Sequence, residues 1–301
     1  MRIVAGLVLV ACWAIPSVGW CAGEFKLDPA AIDRLTGGKG TLNKDEGVYK
    51  VSFPRNDVKV MVDGAAMPPF MGLTSWAGFK GGERVEAMVM GDIVLFQDEV
   101  SPAMSAALDG GLWVTALHNH FFYDEPKVYF MHIGGEGSVE QLAGGVKRVM
   151  DAVKAVRART PEPARGFAHA PFAAKSEISA APLDAVLGAK GQAKDGMYKA
   201  VFGRTTKMPC DCVAGKELGI NTWAAFYGTD ELAYVDGDFA VVAGELQGVL
   251  KSLRGNGINI VAIHSHMENE NPRIIFFHYW GVGRPADLAR AVRAGLDLTG
   301  K

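Results

Sequence analysis

Six of the seven histidines in the chain fall into two copies of one spacing, His-x-His-x11-His. They are His118, His120, His132, His264, His266 and His278. Neutral imidazole is the commonest protein ligand of transition metals. Three imidazoles around one ion leave a position open, where the metal acidifies a bound water or polarises a carbonyl or phosphoryl group. The spacing therefore predicts two sites for a divalent transition metal, zinc first, with iron, manganese or copper as alternatives.

The sequence around the histidines predicts two apolar strands joined by a turn in each copy. In the first copy these are residues 112–120 and 127–132. Positions i and i+2 of a strand face the same side, about 6.6 Å apart. A hairpin centred near Glu125 would place His132 opposite His118, with facing side chains about 5 Å apart. We therefore expect three imidazoles on one face, whereas a slip of one residue would turn the third away.

A packed histidine cluster is the alternative to a metal site. Histidines on apolar strands often serve as hydrogen-bonded core residues. The two copies, however, keep their imidazoles while neighbouring positions differ, as at Asn119 against Ser265 and Phe121 against Met267. This pattern favours metal binding, and it leaves open that one copy binds metal while the other is a scaffold.

A carboxylate is expected to complete each site. Glu99 and Glu245 are counterparts in the two copies and lie near a helix start. Each is predicted to be the fourth ligand or the general base. The alternative is that each stabilises the helix start through the macrodipole. Asp92 and Asp238 are also counterparts. We expect them to be turn residues, with a role in the site as the alternative.

Two further matched pairs are expected to have structural roles. Arg55 and Arg204 each follow a predicted strand, where a solvated arginine is the expectation and contact with an anionic substrate the alternative. Trp76 and Trp223 are predicted to pack in the core.

The histidine copies belong to a longer internal duplication. Four blocks match in the same order: 31–40 with 182–191, 47–55 with 196–204, 74–81 with 221–228, and 118–132 with 264–278. The organisation predicted is a first repeat (28–157), a linker rich in proline and alanine (158–177) and a second repeat (178–301). We expect an α+β fold in which each repeat is an antiparallel sheet with flanking helices, the two related by a pseudo-twofold axis.

Helix signals bracket each repeat. Asp28-Pro29 and the following apolar residues predict a capped helix that stops at Gly37. A second helix is predicted at 245–253, and each repeat is predicted to close with an amphipathic helix, near 139–156 and 286–297.

Residues 1–23 resemble a secretory signal. Arg2 precedes an apolar run, and Gly23 lies in a zone of small residues. Pro16 breaks the run, which argues against a membrane anchor. Lipidation at Cys12 is an alternative to cleavage. We expect a periplasmic or secreted protein whose mature chain begins near Gly23 and has no transmembrane segment.

Composition narrows the function classes. Hydrophobic residues make up 49% of the chain, and the formal net charge is −2. Without a basic stripe, nucleic acid is not an expected partner. We found no nucleophile elbow, phosphate-cradling loop or dinucleotide fingerprint. A small molecule of unknown identity is the expected ligand.

Two cysteines, Cys210 and Cys212, follow the predicted signal and are one residue apart. A disulfide between them would be strained. Inert or oxidised thiols are the first expectation, and a soft-metal pair is the alternative.

The duplicated unit with HNHFFYDEPKVYFMH (118–132) and HSHMENENPRIIFFH (264–278), behind a signal peptide, resembles the LppY/LpqO-type bacterial exported proteins. That resemblance implies export and duplication but no established activity.

Three functions remain open at this point. The first is a metal-dependent, hydrolase-type enzyme of the cell envelope. The second is a non-catalytic protein that binds metal or a small ligand. The third is a structural protein whose histidines are core residues.

Overall fold

The computed structural model describes residues 26–300, so the predicted signal at 1–23 lies outside the described residues. The elements of repeat one are α1 (Pro29–Thr36), β1 (Gly40–Asn43), β2 (Val48–Pro54), β3 (Met61–Val62), β4 (Ala65–Ala66), β5 (Thr74–Gly81), β6 (Ala87–Phe96), α2 (Gln97–Asp109), β7 (Trp113–His118), β8 (Asp124–Glu125), β9 (Val128–Gly137) and α3 (Val139–Arg159).

Repeat two follows the same order. Its elements are α4 (Ala180–Leu187), β10 (Gln192–Lys194), β11 (Met197–Gly203), β12 (Thr206–Lys207), β13 (Val213–Ala214), β14 (Asn221–Gly228), β15 (Ala233–Val242), α5 (Ala243–Gly255), β16 (Asn259–His264), β17 (Ile274–Gly283) and α6 (Pro285–Leu296).

The helix signals in the sequence are confirmed. The Asp28 side chain accepts a hydrogen bond from the backbone amide of Ala30 at the start of α1. The helix ends at Gly37, whose φ of 72° is left-handed and suits a residue without a Cβ. Gly188 ends α4 in the same way, with a φ of 69°. The closing helices α3 and α6 lie where the amphipathic patterns place them.

The two repeats form one twelve-stranded antiparallel sheet. Its strand order is β1-β2-β5-β6-β9-β7-β16-β17-β15-β14-β11-β10. The strands of repeat two follow in the reverse order of their counterparts in repeat one, as a pseudo-twofold axis between β7 and β16 requires. At this joint, Leu117 pairs with Ile263. The predicted α+β class with tandem repeats is confirmed, and the two sheets are continuous.

The main core lies between the helices and one face of the sheet. Buried residues of β6 and β9, such as Ile93, Met131 and Ile133, pack there against α2 and α3. The opposite face carries two smaller apolar clusters, one around Phe130 in repeat one and one around Phe276 in repeat two. Successive strand residues alternate between these two faces, and the histidines lie on the second one.

Candidate functional site

The histidines of each repeat lie on the sheet face opposite the helices. His118 ends β7 and His132 lies within β9, where it pairs with Ala116, while His118 pairs with Phe130. The predicted direct opposition of His118 and His132 is therefore wrong by two residues. A shift of two keeps the parity of the strand, so both side chains stay on the same face.

Repeat two has the same register. His278 pairs with Ala262, and His264 pairs with Phe276. The first and third histidines of each repeat are thus diagonal neighbours. His120 and His266 follow the ends of β7 and β16.

The imidazoles of each repeat form a compact group. In repeat one the ring centroids of His118 and His120 are 5.1 Å apart, and those of His118 and His132 are 5.0 Å apart. In repeat two, His264 lies 4.9 Å from His266 and 5.0 Å from His278 by the same measure.

Two of the imidazole nitrogens lie close together in repeat two. The Nε2 atoms of His264 and His266 are 3.0 Å apart. Four of the six histidines are half-buried, while His120 and His266 are exposed. The histidines are therefore at a solvent-accessible surface and not in the core.

A buried phenylalanine supports the exposed histidine of each group. The His120 ring stacks on Phe130 with a centroid distance of 3.4 Å, and the His266 ring stacks on Phe276 at 3.6 Å. Sequence reasoning missed these positions. The sequence does contain a pattern that could have identified them, since a phenylalanine precedes the last histidine by two residues in both copies.

Two aspartates, expected in turns, lie in strands beside the histidines. Asp92 in β6 pairs with His132, and Asp238 in β15 pairs with His278. The Oδ2 atom of Asp238 is 3.8 Å from Nε2 of His266. The Oδ1 atoms of both aspartates are buried without a hydrogen-bond partner within residues 26–300. A buried polar atom without a partner is costly, so these oxygens are available to a ligand.

Burial and mutual repulsion favour uncharged imidazoles. Burial, followed by the neighbouring histidines, lowers the pKa of His264 below its usual value. The same causes lower the pKa of His266 and His120, although Asp92 partly opposes the effect on His120. Burial raises the pKa of Asp238 to about 6. Neutral imidazole is the form that binds metals.

No group of three or more His, Cys, Asp or Glu side chains in the part of the chain described, 26–300, has the arrangement of a formed metal site. The imidazole groups are therefore close together but do not converge on a common point.

Glu99 lies in a buried ion-pair network. Its carboxylate accepts two hydrogen bonds from Arg55, at 2.7 and 2.9 Å, and forms an ion pair with Arg157 at 2.8 Å. It also accepts a hydrogen bond from the amide of Phe96, which caps α2. The Glu99 and Arg55 side chains are only 0% and 5% exposed. Arg55 is therefore a buried structural residue, which corrects its expected place at the surface.

Glu245 has the corresponding position in repeat two. Its carboxylate contacts the guanidinium of Arg204, and it accepts hydrogen bonds from the amides of Val242 and Gly300. The contacts of both glutamates are thus with arginines and with helix-start amides. This matches the macrodipole alternative, and it leaves the carboxylate position beside the imidazoles to Asp92 and Asp238.

The remaining matched residues have structural environments. Trp76 and Trp223 are half-buried and not in the core. The ammonium groups of Lys50 and Lys199 lie over their rings, each 4.1 Å from the centroid.

The cysteine pair forms a disulfide. Cys210 and Cys212 are bonded to each other in the loop between β12 and β13. Their sulfur atoms are therefore not a free thiolate pair for a soft metal.

A family model matches the chain twice, over residues 30–152 and 181–298, and its description is Domain of Unknown Function (DUF1259). The chain belongs to the DUF1259 family. Each match contains one complete histidine group with its aspartate, so the DUF1259 unit is the repeat.

Comparison with solved structures gives a match to a trimeric bacterial microcompartment shell protein, PduB. The identity is 11%, and 86% of this chain and 89% of that chain are covered, with a TM-score of 0.21. A similarity at that score supports no argument about fold or function. No curated protein matches the chain. Between residues 26 and 300, no helix combines the length and the apolar character needed to span a membrane.

Proposed function

We propose that each repeat binds one divalent transition metal ion through its three imidazoles and the neighbouring aspartate. The donors in repeat one are His118, His120, His132 and Asp92. The donors in repeat two are His264, His266, His278 and Asp238. Zinc is the first candidate, with iron, manganese or copper as alternatives, because imidazole and carboxylate ligands suit all four.

The spacing of the rings is the observation that supports this proposal. A zinc–nitrogen bond is about 2.0–2.1 Å, so two nitrogens on a tetrahedral ion lie about 3.3 Å apart and their ring centroids about 5 Å apart. The two centroid distances measured from the first histidine of each repeat are 4.9–5.1 Å. The Nε2 atoms of His264 and His266, at 3.0 Å, are close to the same spacing. Small side-chain rotations would therefore bring these donors onto one ion.

The two buried aspartate oxygens without partners are the second support. Each lies on the strand next to the third histidine, so a cation would meet an otherwise unsatisfied acceptor. A bound ion would also relieve the cost of burying a carboxylate in partly apolar surroundings.

Catalysis is a second candidate function. His120 and His266 are exposed, so an ion held there would be accessible to water from the solvent side. A bound metal supplies an acidified water or a polarised carbonyl or phosphoryl group. This favours a hydrolase-type activity over purely structural metal binding. Glu99 and Glu245 are engaged by arginines, so in a catalytic site Asp92 or Asp238 would accept the proton in place of serving as the fourth metal donor.

Elemental analysis of protein purified without an affinity tag tests the metal proposal. Wild type should contain two equivalents of metal per chain after reconstitution, and the double variant His120→Ala/His266→Ala should contain none. His169→Ala is the matched control, because His169 is exposed and lies outside both groups. Equal metal content in the wild type and the double variant would exclude the sites.

A hydrolysis assay separates the two candidates. Metal-loaded wild type and the same double variant are compared on p-nitrophenyl acetate and p-nitrophenyl phosphate. Turnover that disappears in the double variant supports an enzyme. Full metal occupancy with no turnover above the double variant supports a non-catalytic metal-binding protein.

We also propose that the chain is an exported protein of the LppY/LpqO type. The charged and apolar pattern of residues 1–23 supports cleavage near Gly23 or Glu24 and a periplasmic or secreted mature protein. N-terminal sequencing of the exported protein tests this. An intact Met1 in a cytoplasmic fraction would contradict it.

A further inference from the structure

A cavity of about 580 Å³ lies at the boundary between the two repeats. Its walls come from the start of α2 and from β9 in repeat one, from β15, β16 and β17 in repeat two, and from the linker. Its volume is in the range of sites for drug-sized molecules. The pseudo-twofold axis relates the cavity to the opposite side of the joint, where the larger side chain of Gln247 has the place that Ser101 has beside the cavity. We call the Gln247 side the closed side and the Ser101 side the open side.

On the closed side, Gln247 of α5 bridges to the edge of β7. Its Oε1 accepts a hydrogen bond from the Val114 amide at 2.8 Å, and its Nε2 donates to the Val114 carbonyl at 2.9 Å. Gln247 therefore continues the sheet ladder where β16 no longer pairs with β7. On the open side the counterpart of Gln247 is Ser101, whose hydroxyl donates to Oδ1 of Asn259 at 2.8 Å. Serine is too short to bridge the gap, so the cavity remains.

The two repeats also carry a tryptophan on different strands of the same strand pair. In repeat one, Trp113 of β7 pairs with Gly134 of β9, and the indole packs over that glycine. In repeat two the counterparts are Asn259 and Trp280, so the indole is on β17. As a result, the indole of Trp280 forms a wall of the cavity.

The linker covers the open side. The amide of Ala164 donates a hydrogen bond to Asp98 at the start of α2. Further along, Phe172 packs edge-on against Tyr234, which stacks on Trp280 with a centroid distance of 4.5 Å. The linker is thus attached to both repeats, and Phe167 between these contacts lines the cavity.

We propose that this cavity binds a small aromatic molecule that carries an amino or hydroxyl group. Three aromatic side chains line it, Tyr129, Phe167 and Trp280, and aromatic rings favour stacked or edge-on partners. The carboxylate of Asp236 is the acceptor that a ligand can reach in the polar wall, because the amide oxygen of Asn259 already accepts from Ser101 and Arg254. The other polar lining residues are Gln97, Asp98, Ser101, Arg165 and the proposed metal donor His278. Within residues 26–300 the Asp236 carboxylate has no salt-bridge partner, so it can accept a hydrogen bond from a ligand.

Fluorescence titration with N-phenyl-1-naphthylamine tests the site, because this probe is aromatic and has one N–H donor. Metal-free wild type should bind it saturably at one equivalent per chain. Ser101→Gln introduces the residue that closes the other side, and it should weaken binding at least tenfold. Ser101→Ala removes the same hydroxyl but leaves the space, so it should change affinity less than threefold.

Two further variants complete the design. Phe167→Ala removes an exposed linker side chain without affecting the core, so it remains informative if Ser101→Gln does not fold. It should weaken the probe at least threefold. His264→Ala/His266→Ala removes proposed metal donors that do not line the cavity, so probe binding should persist even where metal binding is lost. Unchanged affinity in both Ser101→Gln and Phe167→Ala, or no saturable binding to wild type, would overturn the proposal.

Discussion

In repeat one, the Glu99 side chain is fully buried and contacts two arginines, whereas the Glu245 side chain in repeat two is 13% exposed and contacts Arg204. The histidine groups show the opposite trend, because the Nε2 atoms of His264 and His266 already approach each other in repeat two. The two copies have therefore kept the same fold and the same donors. Repeat one has the more buried glutamate–arginine network, and repeat two has the histidine group whose nitrogens are already close together.

The largest expected effect comes from breaking the glutamate networks. Glu99→Gln removes the fully buried carboxylate shared by Arg55 and Arg157, which keep only the more exposed Asp57 and Asp98 as partners, and it should reduce the free energy of unfolding by about 3–5 kcal/mol. Glu245→Gln should cost about 1–2 kcal/mol, because the Glu245–Arg204 pair is partly hydrated. Urea unfolding of both variants measures the difference. Equal losses would mean that burial does not distinguish the two networks.

The joint between the repeats gives the next effect. Gln247→Ala removes both hydrogen bonds to the backbone of Val114 and should reduce the free energy of unfolding by about 1–3 kcal/mol. Ser101→Ala on the open side removes one hydrogen bond, to Asn259, and should cost about 1 kcal/mol or less. Both variants are measured by the same denaturant titration. A larger loss for Ser101→Ala would contradict the assignment of Gln247 as the bridge.

The single-site variants compare the two proposed metal sites. In the His120→Ala protein only the proposed site of repeat two is intact, and in the His266→Ala protein only that of repeat one is intact. Because two donors of repeat two are already close, the His120→Ala protein should bind zinc roughly tenfold more tightly than the His266→Ala protein. Competition with a chromophoric chelator measures both affinities. The reverse order would show that the spacing of these two nitrogens does not decide affinity.

The smallest effect is the pH dependence at Glu245. Burial raises the pKa of its carboxyl, but hydrogen bonds from Arg204 and from the amides of Gly300 and Val242 outweigh it and hold the pKa below its ordinary value of 4.5. A depressed pKa in the folded state contributes stability that is present above the unfolded pKa and is lost as pH falls through the folded pKa. The wild-type advantage over Glu245→Gln should therefore be full at pH 7 and shrink below about pH 4. Unfolding free energies at both pH values check this, and a constant difference would contradict it.

The duplication and strand parity made much of the fold predictable from the sequence. The four matched blocks gave the two repeats, and strand parity predicted that the three imidazoles share one face. Which face could not be predicted, because a register shift between Val114 and Ala116 interrupts the alternation along β7. Register was harder, because the loop contains the short strand β8, which pairs with β3 and shifts the centre of the hairpin from Glu125 to Asp124. Moving the centre by one residue moves the partner of His118 by two, from His132 to Phe130, which preserved the face but not the pairing.

The choice between carboxylates could not be made from the sequence. Glu99 and Asp92 both have counterparts in repeat two, so internal comparison gives them equal weight. Contacts between distant parts of the chain distinguish the two carboxylates. The pairing of β6 with β9 brings Asp92 next to His132, whereas Glu99 lies in α2 and contacts Arg55. Neither the strand pairing nor the distant arginine is visible in local periodicity.

The pairing of Leu117 with Ile263 joins two counterpart positions, so each repeat meets the other through the same edge. A contact of this kind is isologous, the arrangement found in homodimers with twofold symmetry. The chain is in this sense a tethered dimer, in which the linker holds the second half at high effective concentration. Cleavage within the linker should therefore leave two fragments that remain associated through β7 and β16.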